Sequence, residues 1–364
     1  MPVQSYVVAF PSAFSRRHIT ALARNIRRIL RVQNEPYASV RRDGDVILVD
    51  AHDPVFASAA VGLLFGVDRT LIARRVENDF EQVAAAISEV GGNLLLAGDR
   101  FLVRVEGHTR GFLPRDVEMA ATSSIIEARA PAGARPGTDE NHDKLLYAYL
   151  TRRGAYVSIF ADRCLGGLPL GVQGRAVCCV FDPISALACL ETMRMGFETE
   201  VVLCYAAESQ RMPLAKMLDR IIPRMAHKRV KVAAVRMTPG GRDYLETAAL
   251  ATEIMLGEAA ERGIRHVALP VSRMLFAGEA ADRLAARVYG AGMVPVMPLP
   301  GDGRLFEMLG ELNMAGSRAV HSTIYKRQGV MAVPADLRSH TVRRSEFAVR
   351  TGPNNLHDIL DSDW

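Results

Sequence analysis

Cysteine is scarce in this 364-residue chain: Cys164, Cys178, Cys179, Cys189 and Cys204, an odd number with no CxxC spacing. That pattern argues against a disulfide framework and a four-ligand zinc site, and leaves the cytoplasm as the expected address. Lysine is as thin, with only Lys144, Lys216, Lys228, Lys231 and Lys326, so arginine supplies 40 of the 45 basic residues. Long apolar runs are missing. Stretches such as Asn93 to Ala97 and Ser185 to Leu190 fall far short of the ~18 residues that span a bilayer, and Met1 to Phe10 lacks the pattern of an export signal. No membrane partner is expected. What is present, 49% hydrophobic and 23% charged residues, is the composition of a folded globular chain. Its length suits two or three domains, each able to bury a core.

The charge is concentrated at one end. Met1 to Asp43 holds eight arginines against Glu35 and Asp43, a local charge of +6 where the whole chain carries +5. Within Ser15 to Arg31 the apolar residues Ile19, Leu22, Ala23, Ile26, Ile29 and Leu30 follow helical spacing, which leaves Arg17, Arg24, Arg28 and Arg31 as a stripe on another face. Guanidinium groups on a rigid helix suit phosphate contact. A merely solvated face explains the stripe equally well.

The first half reads as small α+β units. Strands are expected at Tyr6 to Phe10, at Ala38 to Arg42 and Asp45 to Asp50 around an Asp43-Gly44 turn, and at Thr70 to Glu77, Arg100 to Glu106, Tyr147 to Thr151 and Ala155 to Ala161. Helices are expected at Ser15 to Arg31, from Asp53-Pro54 to Gly66, at Asp79 to Val90 and at Arg115 to Arg129. The second half alternates apolar strands (Ala176 to Val180, Glu200 to Tyr205, Val230 to Val235, His266 to Leu269, Val294 to Met297) with helices (Ser185 to Met195, Leu214 to Met225, Tyr244 to Arg262, Glu279 to Tyr289, Leu305 to Leu312). Such alternation predicts a doubly wound parallel sheet whose ligands bind beyond the carboxyl ends of the strands.

The run Gly-Gly-Leu-Pro-Leu-Gly-Val-Gln-Gly, Gly166 to Gly174, resembles the linker that opens the ATP-pyrophosphatase-type domain of the tRNA 4-thiouridine synthetases, or tRNA sulfurtransferases. Upstream, Leu64-Phe65-Gly66-Val67, Phe101-Leu-Val-Arg104 and Arg110-Gly-Phe112 are similar to that family's THUMP RNA-binding domain, and Met1 to His52 to its ferredoxin-like domain. Downstream, Pro295 to Gly301 and the helix ending Leu312-Asn-Met-Ala-Gly316 resemble the late synthetase domain. The resemblance implies an α/β chain: a ferredoxin-like domain at 1–55, a THUMP-like domain at 56–171, and a doubly wound PP-loop domain of adenine-nucleotide alpha-hydrolase type at 172–330, with a tail at 331–364. It also implies tRNA as partner, ATP with magnesium as cofactor, and a homodimer.

The chain departs from that family where chemistry is carried out. The family's Ser-Gly-Gly-x-Asp-Ser loop is replaced by Val180-Phe-Asp-Pro-Ile-Ser185, which lacks both glycines and gains a proline with no amide hydrogen. Its Thr-Gly-Glu-Ser-Leu-Gly-Gln is replaced by Pro270-Val-Ser-Arg-Met-Leu-Phe276, and no cysteine follows Cys204 to match the family's late catalytic thiol or a rhodanese-like tail. The losses speak against bound ATP and magnesium. The four cysteines from Cys178 to Cys204 read as core, and Cys164 as exposed.

Two functional readings remain open. In the first, the chain is a non-catalytic or scaffolding tRNA-binding component of thiolation, working with a catalytic subunit or sulfur carrier. Its RNA contacts are expected at Arg17, Arg24, Arg28, Arg104, His108, Arg110 and Arg115. In the second, it is a divergent ATP-dependent sulfurtransferase with a remodelled nucleotide site at Asp182, Ser185, Tyr205 and Ser272, flanked by Glu208 and Arg273. No catalytic residue is singled out, and His266 and His321 lack metal spacing. A second basic run, Arg220, Arg224, His227, Lys228, Arg229 and Lys231, reads first as a solvated helix end, with an RNA path as the alternative. The stretch from Met331 to Trp364 reads as flexible or partner-bound, with the sole tryptophan as an anchor.

Overall fold

The computed structural model describes residues 5–129, 132–237, 244–276, 278–299, 302–311, 341–352 and 355–364. Leu312 to Gly316, His321, Arg338 and His340 lie outside the described residues. The chain divides into two units: unit 1, Met1–Leu63 with Val67–Gly166, and unit 2, Leu64–Gly66 with Gly167–Trp364. Among the described residues, no helix is long and apolar enough to cross a membrane.

Unit 1 runs β1 (Ser5–Pro11), α1 (Ile19–Val32), β2 (Tyr37–Asp43), β3 (Val46–Ala51), α2 (Pro54–Gly62), β4 (Val67–Val76), α3 (Phe80–Leu94), β5 (Arg100–Gly107), α4 (Pro114–Arg129), β6 (Arg135–Pro136), β7 (Lys144–Thr151) and β8 (Gly154–Arg163). Its strands form one mixed sheet in the order β2-β3-β1-β4-β8-β7-β5-β6. The spacing that predicts α1 is used as expected, with Leu22, Ile26, Ile29 and Leu30 fully buried. Its expected first turn is instead a 3-10 turn, Ala13–His18, capped by Ser12, so Arg17 precedes α1. Asp53 caps α2 ahead of Pro54, but the helix stops at Gly62 rather than Gly66. Asp79 caps α3, which runs past Val90 to Leu94. α3 and α4 pack with β5, β7 and β8 around Val83, Ile87, Phe101, Val117, Ile125 and Leu146. A second cluster joins Val8, Phe10, Leu48 and Leu71 to Tyr147 and Tyr156.

Unit 2 runs β9 (Arg175–Val180), α5 (Pro183–Arg194), β10 (Glu198–Tyr205), α6 (Arg211–Ile221), β11 (Arg229–Met237), α7 (Tyr244–Arg262), β12 (His266–Ala268), α8 (Gly278–Gly290), β13 (Val294–Val296), α9 (Asp302–Glu311), β14 (Thr341–Arg350) and α10 (Asn355–Leu360). The sheet order is β13-β12-β9-β10-β11-β14. The first five strands are parallel, as the alternation of apolar strands and helices predicts, and the direction of winding reverses between β9 and β12. Gly167 opens the unit with φ +81°, and a Cβ there would lie 2.4 Å from the Arg194 carbonyl oxygen, so the close approach of this linker to the end of α5 requires glycine.

The described part of the stretch read as a flexible or partner-bound tail, 341–352 and 355–364, differs from that expectation. Thr341–Arg350 is β14, an antiparallel edge strand along the length of β11. Five charged or hydroxyl side chains within Thr341 to Glu346 hide the alternation that buries Phe347 and Val349. Trp364 docks within unit 2: its ring stacks on Phe347 at 5.9 Å, Tyr205 meets it edge-on at 5.2 Å, and its indole N–H donates to the Ile359 carbonyl at 2.8 Å. Cys178, Cys179, Cys189 and Cys204 are buried, and burial pushes the Cys204 thiol up to about 12. Cys164 is half-buried rather than exposed.

Candidate functional site

The turn after β9 is the first of the two turns at the point where the sheet reverses its winding. Asp182 is the N-cap of α5 and accepts from the Ser185 N–H at 2.8 Å. The Ser185 hydroxyl oxygen accepts from the Phe181 and Asp182 N–H groups, both at 2.9 Å, and donates to the Asp182 carbonyl at 2.9 Å. Pro183 has no N–H to offer. The donors that would face an anion are thus held by the loop's own carboxylate and hydroxyl. Burial raises the Asp182 carboxyl to about 6, opposed by hydrogen bonds from Ser185 and Ile184.

Three rings pack together beside this turn. Phe181 lies 5.4 Å from Tyr244, and Tyr244 stacks on Phe276 at 4.9 Å with planes 7° apart. The Tyr244 hydroxyl donates to the Pro270 carbonyl at 2.6 Å, joining α7 to the turn after β12. Burial raises the Tyr244 hydroxyl, which keeps it protonated as that donor. In the same turn the Ser272 hydroxyl accepts from the Met274 N–H at 3.2 Å, and its carbonyl accepts from Leu275 and Phe276. Tyr205, two residues past the Leu203 that pairs with Val180, sets its ring edge-on against Trp364. With its amides so engaged, the turn at Asp182 and Ser185 does not fit the phosphates of a bound ATP. Among the described residues no cluster of His, Cys, Asp or Glu is arranged to hold a metal.

Unit 1 presents the opposite situation. Arg24 and Arg31 are exposed on α1, Arg28 lies half-buried between them, and Arg17 is exposed on the preceding turn. Arg27 faces inward and donates to the Val40 carbonyl at 2.6 Å. Arg115 is exposed in the first turn of α4. Arg104 is ion-paired with Asp139, which raises its pKa. Arg110 donates to the Arg152 carbonyl.

His108 lines a cleft of about 720 Å³ together with Arg42, Asp43, Tyr149, Arg152 and Arg153. The cleft is built by two hairpin tips. Asp43, only 3% exposed, accepts from the Tyr156 hydroxyl at 2.6 Å and the Thr151 hydroxyl at 2.9 Å, so the β2–β3 tip is tied to the β7–β8 tip although the strands are far apart in sheet order. Asn78 donates to the carbonyls of His108 and Thr151, both at 2.7 Å. Gly107, at φ +106°, lets its chain pass so close to Leu150 that a Cβ would lie 2.1 Å from that carbonyl oxygen. Arg42, Arg152 and Arg153 are exposed, and no described carboxylate lies within ion-pair distance of them. Sequence reasoning missed these three arginines and Tyr149. The available signal was arginine at the tips of two hairpins, Arg41-Arg42-Asp43-Gly44 and Arg152-Arg153-Gly154.

No protein-family model matches the chain. It is 28% identical over 197 residues, 52% of this chain and 48% of the relative, to a probable tRNA sulfurtransferase of Methanosarcina acetivorans. It is 25% identical over 189 residues, 51% of this chain and 46% of the relative, to a probable tRNA sulfurtransferase of Streptococcus equi subsp. equi. The chain spans about half the length of the curated relatives it matches. Among solved structures it is similar to PH1313 from Pyrococcus horikoshii, with TM-score 0.61, 18% identity, and 85% of this chain and 99% of that one covered. It is also similar to a 4-thiouridine synthetase solved as an RNA complex with bound ATP, with TM-score 0.64, 16% identity, and 89% of this chain and 87% of that one covered. The chain is related to proteins named probable tRNA sulfurtransferases, and its fold is the α/β fold of a 4-thiouridine synthetase.

Proposed function

We propose that this chain binds tRNA and serves tRNA thiolation, or another tRNA modification, as a non-catalytic component. In this reading residues 1–55 and 56–171 are the ferredoxin-like and THUMP-like RNA-binding parts, and 172–330 is a PP-loop-like domain that no longer takes ATP. The sulfur chemistry is supplied by a catalytic partner or a sulfur carrier. The observation that carries the reading is the turn after β9, where Asp182 and Ser185 hold the amides that an anion would need. The stack of Phe181, Tyr244 and Phe276 supports it.

RNA is met by exposed arginines: Arg17 just before α1, Arg24 on α1, Arg115 on α4, and Arg152 and Arg153 in the cleft with His108 and with Arg42, whose Nε donates to the Gly44 carbonyl. Guanidinium groups and a half-buried tyrosine suit phosphate contact and base stacking. The test is a pair of titrations of the intact chain, one with tRNA at several salt concentrations and one with ATP and magnesium. Salt-sensitive tRNA binding without nucleotide binding is the expected result. Nucleotide binding at physiological concentration would overturn the non-catalytic part, and absence of tRNA binding would overturn the whole. Nucleoside mass spectrometry of host tRNA with the gene present and deleted then identifies the modification served.

A further inference from the structure

The charges along the β11–β14 ladder are unevenly matched. In its middle, cations meet carboxylates. The Lys231 Nζ lies 3.2 Å from Glu346, Arg262 of α7 lies 3.0 Å from the same carboxylate, and Arg344 pairs with Glu258 at 2.6 Å and Glu261 at 2.9 Å. At one end the register instead sets Arg229 directly opposite Arg350. Lys228 precedes them, and all three residues are exposed. Among the described residues, no carboxylate lies within ion-pair distance of any of the three.

Residues directly opposite in an antiparallel pair share a face, and like charges there repel. The backbone holds this pair together regardless. The Thr351 N–H donates to the Lys228 carbonyl at 3.1 Å and its hydroxyl to the His227 carbonyl at 2.6 Å, while the His227 ring meets Glu198 at 2.9 Å. Two guanidinium groups on a fixed platform without counter-charge match an oxyanion, and paired planar forks suit phosphate best. Arg229 begins β11 and Arg350 ends the antiparallel β14, so both lie at the amino edge of the parallel sheet. The turns after β9 and β12 lie at its carboxyl edge.

We propose that Lys228, Arg229 and Arg350 form an RNA-backbone contact on unit 2, separate from the arginines of unit 1. The inference rests on the reading that the chain binds tRNA, and it assigns unit 2 a binding role away from the turns after β9 and β12. The sequence run from Arg220 to Lys231 contains two of the three residues, and the third is brought by β14 from more than a hundred positions away.

The experiment is fluorescence anisotropy with labelled tRNA and the full chain at several salt concentrations. It compares wild type, the R229Q/R350Q double variant, R229K/R350K, and K216Q as a control on an exposed lysine elsewhere in unit 2. Loss of two phosphate contacts should lower the slope of log K against log salt by about 1.8, at about 0.9 per contact. R229K/R350K should keep most of the slope, and K216Q all of it. Thermal unfolding of R229Q/R350Q should not fall, because a repulsive pair is removed. If wild type binds tRNA and R229Q/R350Q binds it with unchanged affinity and slope, this contact is overturned while the tRNA-binding reading stands. If wild type does not bind tRNA, both are overturned.

Discussion

Asp43 in unit 1 and Asp182 in unit 2 are turn carboxylates with opposite surroundings. Asp43 accepts hydroxyls from Thr151 and Tyr156 across the sheet, and the arginines beside it face an open cleft. Asp182 accepts from the start of its own helix, and the residues around it are rings packed inward. One carboxylate fastens two hairpin tips and leaves the cations available to a ligand. The other is taken up by the amides at the start of its own helix. A binding surface therefore depends less on which polar groups a turn contains than on whether the turn itself has already satisfied them.

Gly107→Ala should break the open side of this comparison most severely. A Cβ 2.1 Å from the Leu150 carbonyl, at φ +106°, forces the β5 and β7 ends apart. A loss of about 3 kcal/mol in unit 1 stability is expected by chemical denaturation followed by circular dichroism. The closed side should show a pH dependence. The Asp182 carboxyl, about 6 in the folded unit against the usual 3.8, holds its proton more tightly when folded. The stability it contributes is complete below about pH 4 and is lost as pH rises through 6. Trp364, the sole tryptophan and buried in unit 2, reports that unfolding, and Asp182→Asn should keep the cap while flattening the dependence.

Asp43→Ala strands the buried Tyr156 hydroxyl, while the Thr151 hydroxyl keeps the Gly154 carbonyl, and should cost about 2 kcal/mol, with looser tRNA binding in the same preparation. Exchanging both Arg152 and Arg153 for Gln should leave unit 1 stability unchanged while weakening tRNA binding about tenfold at low salt, with a shallower salt slope. Tyr244→Phe has the smallest expected effect, about 1 kcal/mol by tryptophan fluorescence, because the ring stack remains and only the bond to Pro270 is lost. None of these variants should gain ATP binding.

Much of this arrangement is legible in local sequence. The spacing of Leu22, Ile26 and Ile29, the caps at Asp53 and Asp79, and the apolar strands of unit 2 specify elements through neighbours a few residues apart. The absence of glycine between Val180 and Ser185 is equally plain. Its surroundings are less so, because no local pattern shows that Phe181, Tyr244 and Phe276 pack together beside this turn. Arg104 looks like an RNA contact until Asp139 is seen beside it.

The sequence by itself determined the elements, their alternation and the basic end of the chain, because periodicity and capping act within one or two turns. Only the tertiary structure decided which groups remain free. Asp43 and Tyr156 stand 113 residues apart, Arg229 and Arg350 come from strands more than a hundred positions apart in the chain, and Trp364 finds its place against Tyr205 and Phe347. Partners at such separations are set by how strands stack in the sheet, which no local pattern encodes.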